Sequence, residues 1–342
     1  MNAPTDEELR EILEAVEQYG QSGAARHLGI PRSTLRNRRK LAARRFGQGQ
    51  APDVELPVFP DEDIPIEQVI DQMERRFEKR HSHHHARQWF PIKFKTDDPI
   101  GILWVGDPHA DDDGCHWPLL RKHTALCRDT DGMYAVCIGD LSNNWHGRLT
   151  ALWARQDTSA DTARRLVEWL LLESGIDWIV IILGNHDSWG DGAAILSQMV
   201  KRGAKELRCH DWEARFRLVF PNEWSPQIFA SHDFKGHSMW NPMHGPLKAG
   251  MMGPTADVYV CGHKHNWGTY TFENAARGRE QHFIRVRGYK FLDEYGRRLG
   301  ITEQQGGASV LTVFDPTRES ITTFSDVDRG AEFLTSIRSA KH

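Results

Sequence analysis

The chain has 342 residues, of which 39% are hydrophobic and 26% charged, and its formal net charge is −4. These values are ordinary for a globular protein and exclude a chain that is polycationic along its whole length. The five cysteines are scattered without a C-x-x-C pair, which excludes a disulfide framework and leads us to expect reduced thiols in a cytoplasmic protein. No apolar run approaches the roughly 20 residues of a membrane helix, and the acidic first residues lack the apolar stretch of a signal peptide, so no membrane partner is expected.

Residues 1–46 predict a small all-α domain with a helix-turn-helix. Thr5 and Glu8 have the spacing of a capping box, and Gly29 permits a tight turn between two helices. Between residues 26 and 45 there are eight Lys or Arg and no Asp or Glu. The segment resembles the helix-turn-helix modules of resolvases and small phage DNA-binding proteins, which implies contact with DNA or another nucleic acid. The basic residues expected to make this contact are Arg32, Arg36, Arg38, Arg39 and Lys40. The alternative is a helical bundle for protein contact, whose basic face is merely solvated.

Residues 47–88 are predicted to form a linker followed by a charged helix. The stretch 47–65 is rich in Pro, Gly and acidic residues, a composition typical of linkers. The helix predicted over 66–88 ends in four histidines, His81, His83, His84 and His85. They could bind a metal, but adjacent residues on a helix point in different directions, so a solvated helix end is the simpler interpretation.

Residues 89–330 predict an α/β domain. Short apolar runs typical of buried strands are separated in places by amphipathic helical segments, which indicates a sheet covered by helices. Five runs are each followed by residues that can bind a metal: "IGILWV" (100–105), "MYAVCI" (133–138), "WIVIIL" (178–183), "QIFA" (227–230) and "DVYVC" (257–261). Ligands of open α/β sheets bind at the carboxyl ends of the strands, so these residues are expected to converge.

The converging side chains are of the types that bind metal ions, and their number suits a site for two ions. Imidazole, carboxylate and amide ligands suit Mn, Fe, Zn or Ni, and the absence of Cys argues against a structural zinc site. Seven ligands are too many for one catalytic ion but fit two divalent ions that share a bridging carboxylate, most simply two Mn ions. The side chains gathered at this edge are Asp107, Asp140 and Asn185 with four or five histidines: His109, His232, His263 and His265, and His186 as the fifth. His237 is an alternative to His232.

The motifs "GDPHAD", "GDLSN", "GNHD", "ASHD" and "CGHKH", in this order, resemble those of the calcineurin-like metallophosphoesterase superfamily. The resemblance covers residues 98–316 and implies a four-layer sandwich of two mixed β-sheets flanked by helices. It implies that Asp140 bridges the ions. One ion would be bound by Asp107, His109 and His265, and the other by Asn185, His232 and His263.

The resemblance also implies a metal-dependent hydrolase in which a metal-bridging hydroxide attacks phosphorus. His186 would lie over the substrate and stabilise the transition state or protonate the leaving oxygen, and Asp187 would orient His186. Asn143 and Asn144 lie where family members often carry a residue that supports the site.

The choice of phosphoester rests on features outside the metal ligands. The basic helix-turn-helix, the G-N-H-D motif and the basic, aromatic run "FIRVRGYKF" (283–291) favour a nuclease-like phosphodiesterase acting on DNA. The run could equally be an ordinary strand. The layout resembles phosphoesterases encoded by tailed phages, which would place the protein in the host cytoplasm. The alternatives are a phosphomonoesterase or cyclic-nucleotide hydrolase whose helical module serves assembly or targeting, and a DNA-binding regulator with a degenerate site.

Overall fold

The computed structural model describes residues 4–47, 63–203, 207–238, 240–275, 278–291 and 306–340. The chain divides into two compact units, Met1–Met73 and Glu74–His342. Most of the linker predicted over 47–65 lies outside the described residues, and the domain boundaries after residues 46 and 88 stay predictions. Within the described residues, no helix is long and apolar enough to cross a membrane.

The first unit contains the predicted helix-turn-helix. Helix α1 (Asp6–His27) begins with the capping box of Thr5 and Glu8 and is kinked at Gly20, where φ is 65° and ψ is 171°. Gly29, with a φ of 62°, makes the turn into α2 (Arg32–Phe46). A small apolar core joins the helices: Ile12, Ala15, Ala24, Ala25 and Leu35. Because only one side of α2 enters this core, the other side stays available for solvent or a partner.

Helix α3 (Ile66–Ala86) follows, and none of its residues is buried. His81 and His85 stand one turn apart on it, with their Nε2 atoms 3.2 Å from each other. His84 contacts Gln88 instead. The four histidines are exposed, and none is among the groups of three or more side chains, in the described part of the chain, that could hold a metal.

The second unit contains two six-stranded mixed sheets. Sheet I has the order β12-β11-β2-β3-β4-β5, and its strands β2 to β5 are parallel. The bounds of these strands are β2 Ile100–Val105, β3 Met133–Cys137, β4 Trp178–Leu183, β5 Cys209–Asp211, β11 Ser309–Asp315 and β12 Ser320–Phe324. The three predicted strands at residues 100–105, 133–138 and 178–183 therefore lie side by side.

Sheet II has the order β1-β6-β7-β8-β10-β9. Strands β7, β8 and β10 are parallel neighbours, so β7 and β8 end at the same edge. The bounds are β1 Phe90–Lys93, β6 Glu213–Val219, β7 Gln227–Ser231, β8 Val258–Cys261, β9 Gly268–Asn274 and β10 Arg279–Arg285.

The two sheets face each other across an apolar core that includes Trp104, Phe216 and Ile284. The outer face of sheet I packs on helices through a second core, and the outer face of sheet II packs beside α8. The helices of this unit are α4 Trp117–Asp129, α5 Ala160–Glu168, α6 Asn185–Ser188, α7 Gly192–Gly203, α8 His244–Met252 and α9 Val327–Ser339. A 3₁₀ helix, Gly147–Arg155, and a π-helical turn, Trp169–Glu173, complete the list. The predicted four-layer α/β sandwich is confirmed.

Candidate functional site

The seven predicted ligands meet where the two sheets present their strand ends. Four of them follow β2, β3 and β4 of sheet I, and three follow β7 and β8 of sheet II. There are three groups of side chains whose ligand atoms lie within 4.8 Å of one another inside each group. They are Asp107, His109 and His265; His109, Asp140 and His186; and Asp140, His232 and His263. The carboxyl-end arrangement expected from the sequence therefore brings the ligand types together.

The backbone at these positions is unusual. Ten non-glycine residues of the described chain have a positive φ, and five of them are predicted ligands: Asp107, His109, Asp140, His263 and His265. A positive φ is uncommon for residues with a side chain and costs of order 1–3 kcal/mol where the position is disfavoured. These loop conformations turn the predicted ligands towards the ends of the sheets. The packed strands next to the loops stabilise the unfavourable backbone angles.

Glycines leave space for the ligands at two places. A Cβ on Gly184 would lie 2.1 Å from Oδ1 of Asp140, and one on Gly262 would lie 2.2 Å from Oδ2 of Asp107. Both approaches are far inside van der Waals contact. Gly184 and Gly262 are therefore required by the close approach of a carboxylate to the backbone.

Asp107, His109 and His265 form the first group. Oδ2 of Asp107 accepts a hydrogen bond of 2.8 Å from the backbone N–H of His263. Oδ1 of Asp107 and both ring nitrogens of His109 are buried and have no hydrogen-bonding partner in the described part of the chain. Buried polar atoms are seldom left so, because each costs about 1–3 kcal/mol. These unpaired oxygen and nitrogen atoms could coordinate a divalent cation, so the residues present fit a metal site.

The titration of this group agrees with a metal site. Burial, and then the neighbouring His186, lower the pKa of His109 well below its usual value, which keeps the ring in the neutral form that binds metals. Burial raises the pKa of Asp107 to about 8, although His232 opposes the rise. A nearby cation reverses such a shift because it stabilises the ionised carboxylate.

Asp140, His232 and His263 form the second group, with Asn185 beside them. Nδ1 of His232 lies 2.8 Å from the carbonyl oxygen of Ile138 and donates to it, which turns Nε2 inward. This Nε2 lies 3.0 Å from Nδ1 of His263 and 3.1 Å from Oδ1 of Asn185. Three potential ligand atoms therefore converge on one point.

The charges in this second group are strongly coupled. Burial alone would lower the pKa of His232, but the carboxylate of Asp140 raises it to about 9. Burial opposes ionisation of Asp140, yet His232 and the other rings hold the pKa of Asp140 below its usual value. Burial, and then His232, lower the pKa of His263 to about 3. Asp140 is thus a carboxylate surrounded by imidazoles, as a ligand shared between two cations would be.

His186 lies between the groups, with Nε2 4.0 Å from Oδ2 of Asp140. Its Nδ1 hydrogen-bonds the carbonyl oxygen of Asn143, which leaves Nε2 facing the ligands. Oδ1 of Asp140 accepts a hydrogen bond of 2.9 Å from the backbone N–H of His186. Burial lowers the pKa of His186, so the ring is neutral at pH 7.

The expectation that Asp187 orients His186 is wrong. The carboxylate of Asp187 accepts hydrogen bonds from three backbone N–H groups, those of Asp140, Leu141 and Gly184, at 2.6, 3.0 and 2.8 Å. Asp187 therefore ties the loop after β3 to the loop after β4, and the carbonyl of Asn143 orients His186 in its place.

Sequence reasoning missed a polar network beside the site. Asp111 accepts from the backbone N–H of Asn143 at 2.7 Å, and Nζ of Lys290 lies 3.0 Å from Oδ2 of Asp112. The side chain of Asn143 donates to Asp112 and to Gln156. These contacts fix the loop whose carbonyl holds His186, and only the position of Asn143 next to the second motif hinted at them.

The run "FIRVRGYKF" does not form an exposed basic surface. Phe283, Arg285 and Tyr289 are almost fully buried, and the first residues of the run belong to β10. The guanidinium of Arg285 is 3.1 Å from Asp233 and donates to the carbonyl oxygen of Gly262 at 2.7 Å. The structure supports the interpretation of this run as an ordinary strand, since the run begins in β10 of sheet II and Arg285 is buried against Asp233.

His237, the alternative to His232, is exposed, whereas His232 is fully buried among the ligands. In the first unit, Arg32, Arg36, Arg39 and Lys40 are exposed on α2, and Arg38 is half-buried. Leu35 and Ala42 of the same helix are buried. The predicted basic residues thus occupy mainly the side of α2 that faces away from α1.

The two mixed sheets and their flanking helices form a four-layer α/β sandwich with polar residues at the strand ends. The chain is similar to a metallophosphoesterase from Sphaerobacter thermophilus, with 12% identity over 71% of this chain and 100% of the other and a TM-score of 0.34. It is similar to the Pseudomonas putida nuclease MPE, with 17% identity over 65% and 87% of the two chains and a TM-score of 0.32. It is also similar to Vps29 of Chaetomium thermophilum, with 14% identity over 66% and 95% and a TM-score of 0.33. All three TM-scores are low, and the fold assignment rests on the strand order and ligand positions.

Residues 3–41 match the family described as "Bacterial regulatory protein, Fis family", a helix-turn-helix domain. This match confirms the predicted helix-turn-helix, and the family that it names is Fis. No curated protein matches the chain.

Proposed function

We propose that this chain is a metal-dependent phosphoesterase that hydrolyses phosphodiester bonds, with DNA as its substrate. The observation that carries the proposal is the convergence of seven side chains of metal-ligand type from both sheets, with Nε2 of His186 facing the same point. A pair of cations at this point would bind a phosphate, and His186 would lie over it.

Two divalent ions fit the site, manganese first, with iron, zinc or nickel as alternatives. Asp107, His109 and His265 would hold one ion, and Asn185, His232 and His263 the other. Asp140, which lies in two of the three groups, would bridge them. When bound, the ions would activate water and draw negative charge from the phosphate oxygens.

The protein's own side chains would then position the substrate and move one proton. The carbonyl of Asn143 holds Nδ1 of His186 as the donor, so Nε2 is the atom that would face a phosphate oxygen. The neutral ring carries no proton on Nε2; the negative charge of a bound phosphate would favour the imidazolium, which would donate from Nε2 to the leaving oxygen. Asp187 keeps the loops after β3 and β4 together, so that Asp140 and His186 stay in register. Asp187 is thus a positioning residue.

The proposed substrate is nucleic acid because the first unit carries a Fis-type helix-turn-helix with an exposed basic side. The second helix of such motifs enters the major groove, and Lys and Arg around it contact phosphates. Arg32, Arg36, Arg38, Arg39 and Lys40 of α2 would make these contacts. The helical module would deliver DNA to the hydrolytic unit.

The proposal is tested by assaying the purified protein with manganese against four substrates side by side. These are bis-p-nitrophenyl phosphate, p-nitrophenyl phosphate, single-stranded DNA and double-stranded DNA. We expect the diester and DNA to be cleaved and the monoester to be a poor substrate. Hydrolysis of the monoester alone would identify a phosphomonoesterase, and a protein inactive on all four with any of the candidate metals would overturn the proposal.

A further inference from the structure

A cavity of about 230 Å³ opens beside Asn144 and Trp189, in the loops after β3 and β4. Its floor is apolar, formed by Val167 of α5 and by Leu196 and Met199 of α7. Its walls carry three tryptophans, Trp145, Trp153 and Trp189. The volume is below the 300–1,000 Å³ of sites for drug-sized ligands, so one flat ring system would fill the cavity.

The tryptophans are held in place by hydrogen bonds. Nε1 of Trp145 donates to Oε1 of Gln156 at 2.8 Å, and Nε1 of Trp153 donates to the carbonyl oxygen of Trp145 at 2.9 Å. The side chain of Asn144 donates to the carbonyl oxygens of His186 and Trp189, at 2.7 and 3.1 Å. The walls are therefore prearranged, and a ligand would lose little free energy in ordering them.

The cavity lies next to the place where the phosphate would bind. The ring of Trp189 is 4.1 Å from that of His186, centroid to centroid, and the ring of Trp145 is 5.3 Å from it. A ring attached through a sugar to a phosphate at His186 would therefore reach the tryptophans. Arg164, Asp191 and Ser142 also line the cavity and offer donors and acceptors to the edge of such a ring.

We propose that this cavity binds the nucleobase of a nucleotide adjoining the scissile phosphate. The inference rests on the proposed function, because it takes the phosphate to lie at His186. Aromatic side chains stack on bases with little regard to sequence, since every base has a flat face. A base held between the tryptophans of this cavity is neither paired nor stacked in a duplex. The substrate class is therefore DNA with unpaired nucleotides, single-stranded or frayed at its end.

The hydrolytic test uses two diesters with the same leaving group, thymidine 5′-(p-nitrophenyl phosphate) and methyl p-nitrophenyl phosphate. We expect the full-length protein with manganese to prefer the thymidine ester in kcat/KM. Trp153→Leu and Trp189→Leu should each reduce this preference roughly 10- to 100-fold, mainly through KM, because one stacking partner is lost. Trp189→Phe keeps an aromatic ring and should restore much of the preference. Trp240→Leu is the matched control, since Trp240 is 93% exposed and does not line the cavity.

A binding measurement separates the failure of this inference from the failure of the proposed function. Thymidine 5′-monophosphate should quench the tryptophan fluorescence of the full-length protein, and deoxyribose 5-phosphate should not. Quenching by the nucleotide without hydrolysis of either ester would overturn the proposed function and leave the base site standing. Equal binding of both phosphates, or an unchanged ester preference in both Trp→Leu variants, would overturn the base site.

Discussion

Oδ2 of Asp140 and Nε2 of His232 lie 3.4 Å apart, although Asp140 follows β3 of sheet I and His232 follows β7 of sheet II. The two side chains are nearly fully buried. Because Asp140 also belongs to the group with His109 and His186, its carboxylate links two of the three groups.

Asp140→Asn should reduce the occupancy of both metal ions. The amide has no negative charge to share between two cations, so both ions lose the carboxylate that would bind them together. Elemental analysis after dialysis against manganese measures the metal content per chain. Asp129→Asn is a suitable control because Asp129 is exposed and pairs only with Arg128 at the surface. Loss of one ion with the other fully retained would contradict the bridging role.

His186→Gln should leave the metal content close to normal and slow diester hydrolysis by about 10²-fold or more, the usual scale for a general acid or a transition-state donor. The glutamine amide can still donate a hydrogen bond but cannot give up a proton at neutral pH. Steady-state rates and elemental analysis of the same preparation give both values. A variant that loses a metal ion would show that His186 is a ligand.

Gly184→Ala should disrupt the site from behind. The added Cβ would lie 2.1 Å from Oδ1 of Asp140 and 2.7 Å from its backbone nitrogen, so Asp140 or the loop must move. We expect loss of both ions and a destabilisation of about 1–3 kcal/mol, the usual cost of overpacking. Gly306→Ala is the matched control, because its Cβ would only reach ordinary contact, 3.4 Å from Trp267. Metal content and thermal unfolding are measured, and equal behaviour of the two variants would contradict the close approach.

The triple variant of Arg32, Arg36 and Arg39 to Ala should bind DNA more weakly and with a flatter salt dependence. Each lost phosphate contact removes close to one unit from the slope of log affinity against log salt. Binding titrations at several salt concentrations measure the slope. Replacing Arg202, Arg318 and Arg329 by Ala removes the same charge from exposed positions of the second unit and should change the slope little. Equal slopes in the two triple variants would mean that α2 serves protein contacts.

The positions of the ligands could be predicted from the sequence because each ligand follows an apolar run, and parallel strands place their carboxyl ends together. The helix-turn-helix could be predicted because its capping box and its turn glycine are local signals. Both inferences depend only on residues that are close in the sequence, so they can be made without knowing how the chain packs.

Other features depend on contacts between distant segments. Trp145, Trp153 and Trp189 have no common spacing, and their convergence on one cavity depends on how the segments after β3 and β4 fold together. The contacts of Asp187 go to backbone N–H groups of another loop, which no pattern of side chains reveals. The burial of Arg285 is likewise not visible in the sequence, because it depends on the pairing with the distant Asp233.

The predicted ligands are divided between two sheets. The core between those sheets therefore separates the two edges that carry them. Trp104 of β2 and Phe216 of β6 both lie in that core, whose thickness sets how far apart the two edges stand. If two ions are bound as proposed, the distance between them would depend on the whole sandwich and not on any single loop. Two chains with identical motifs could differ in metal preference simply because their cores are of unequal thickness.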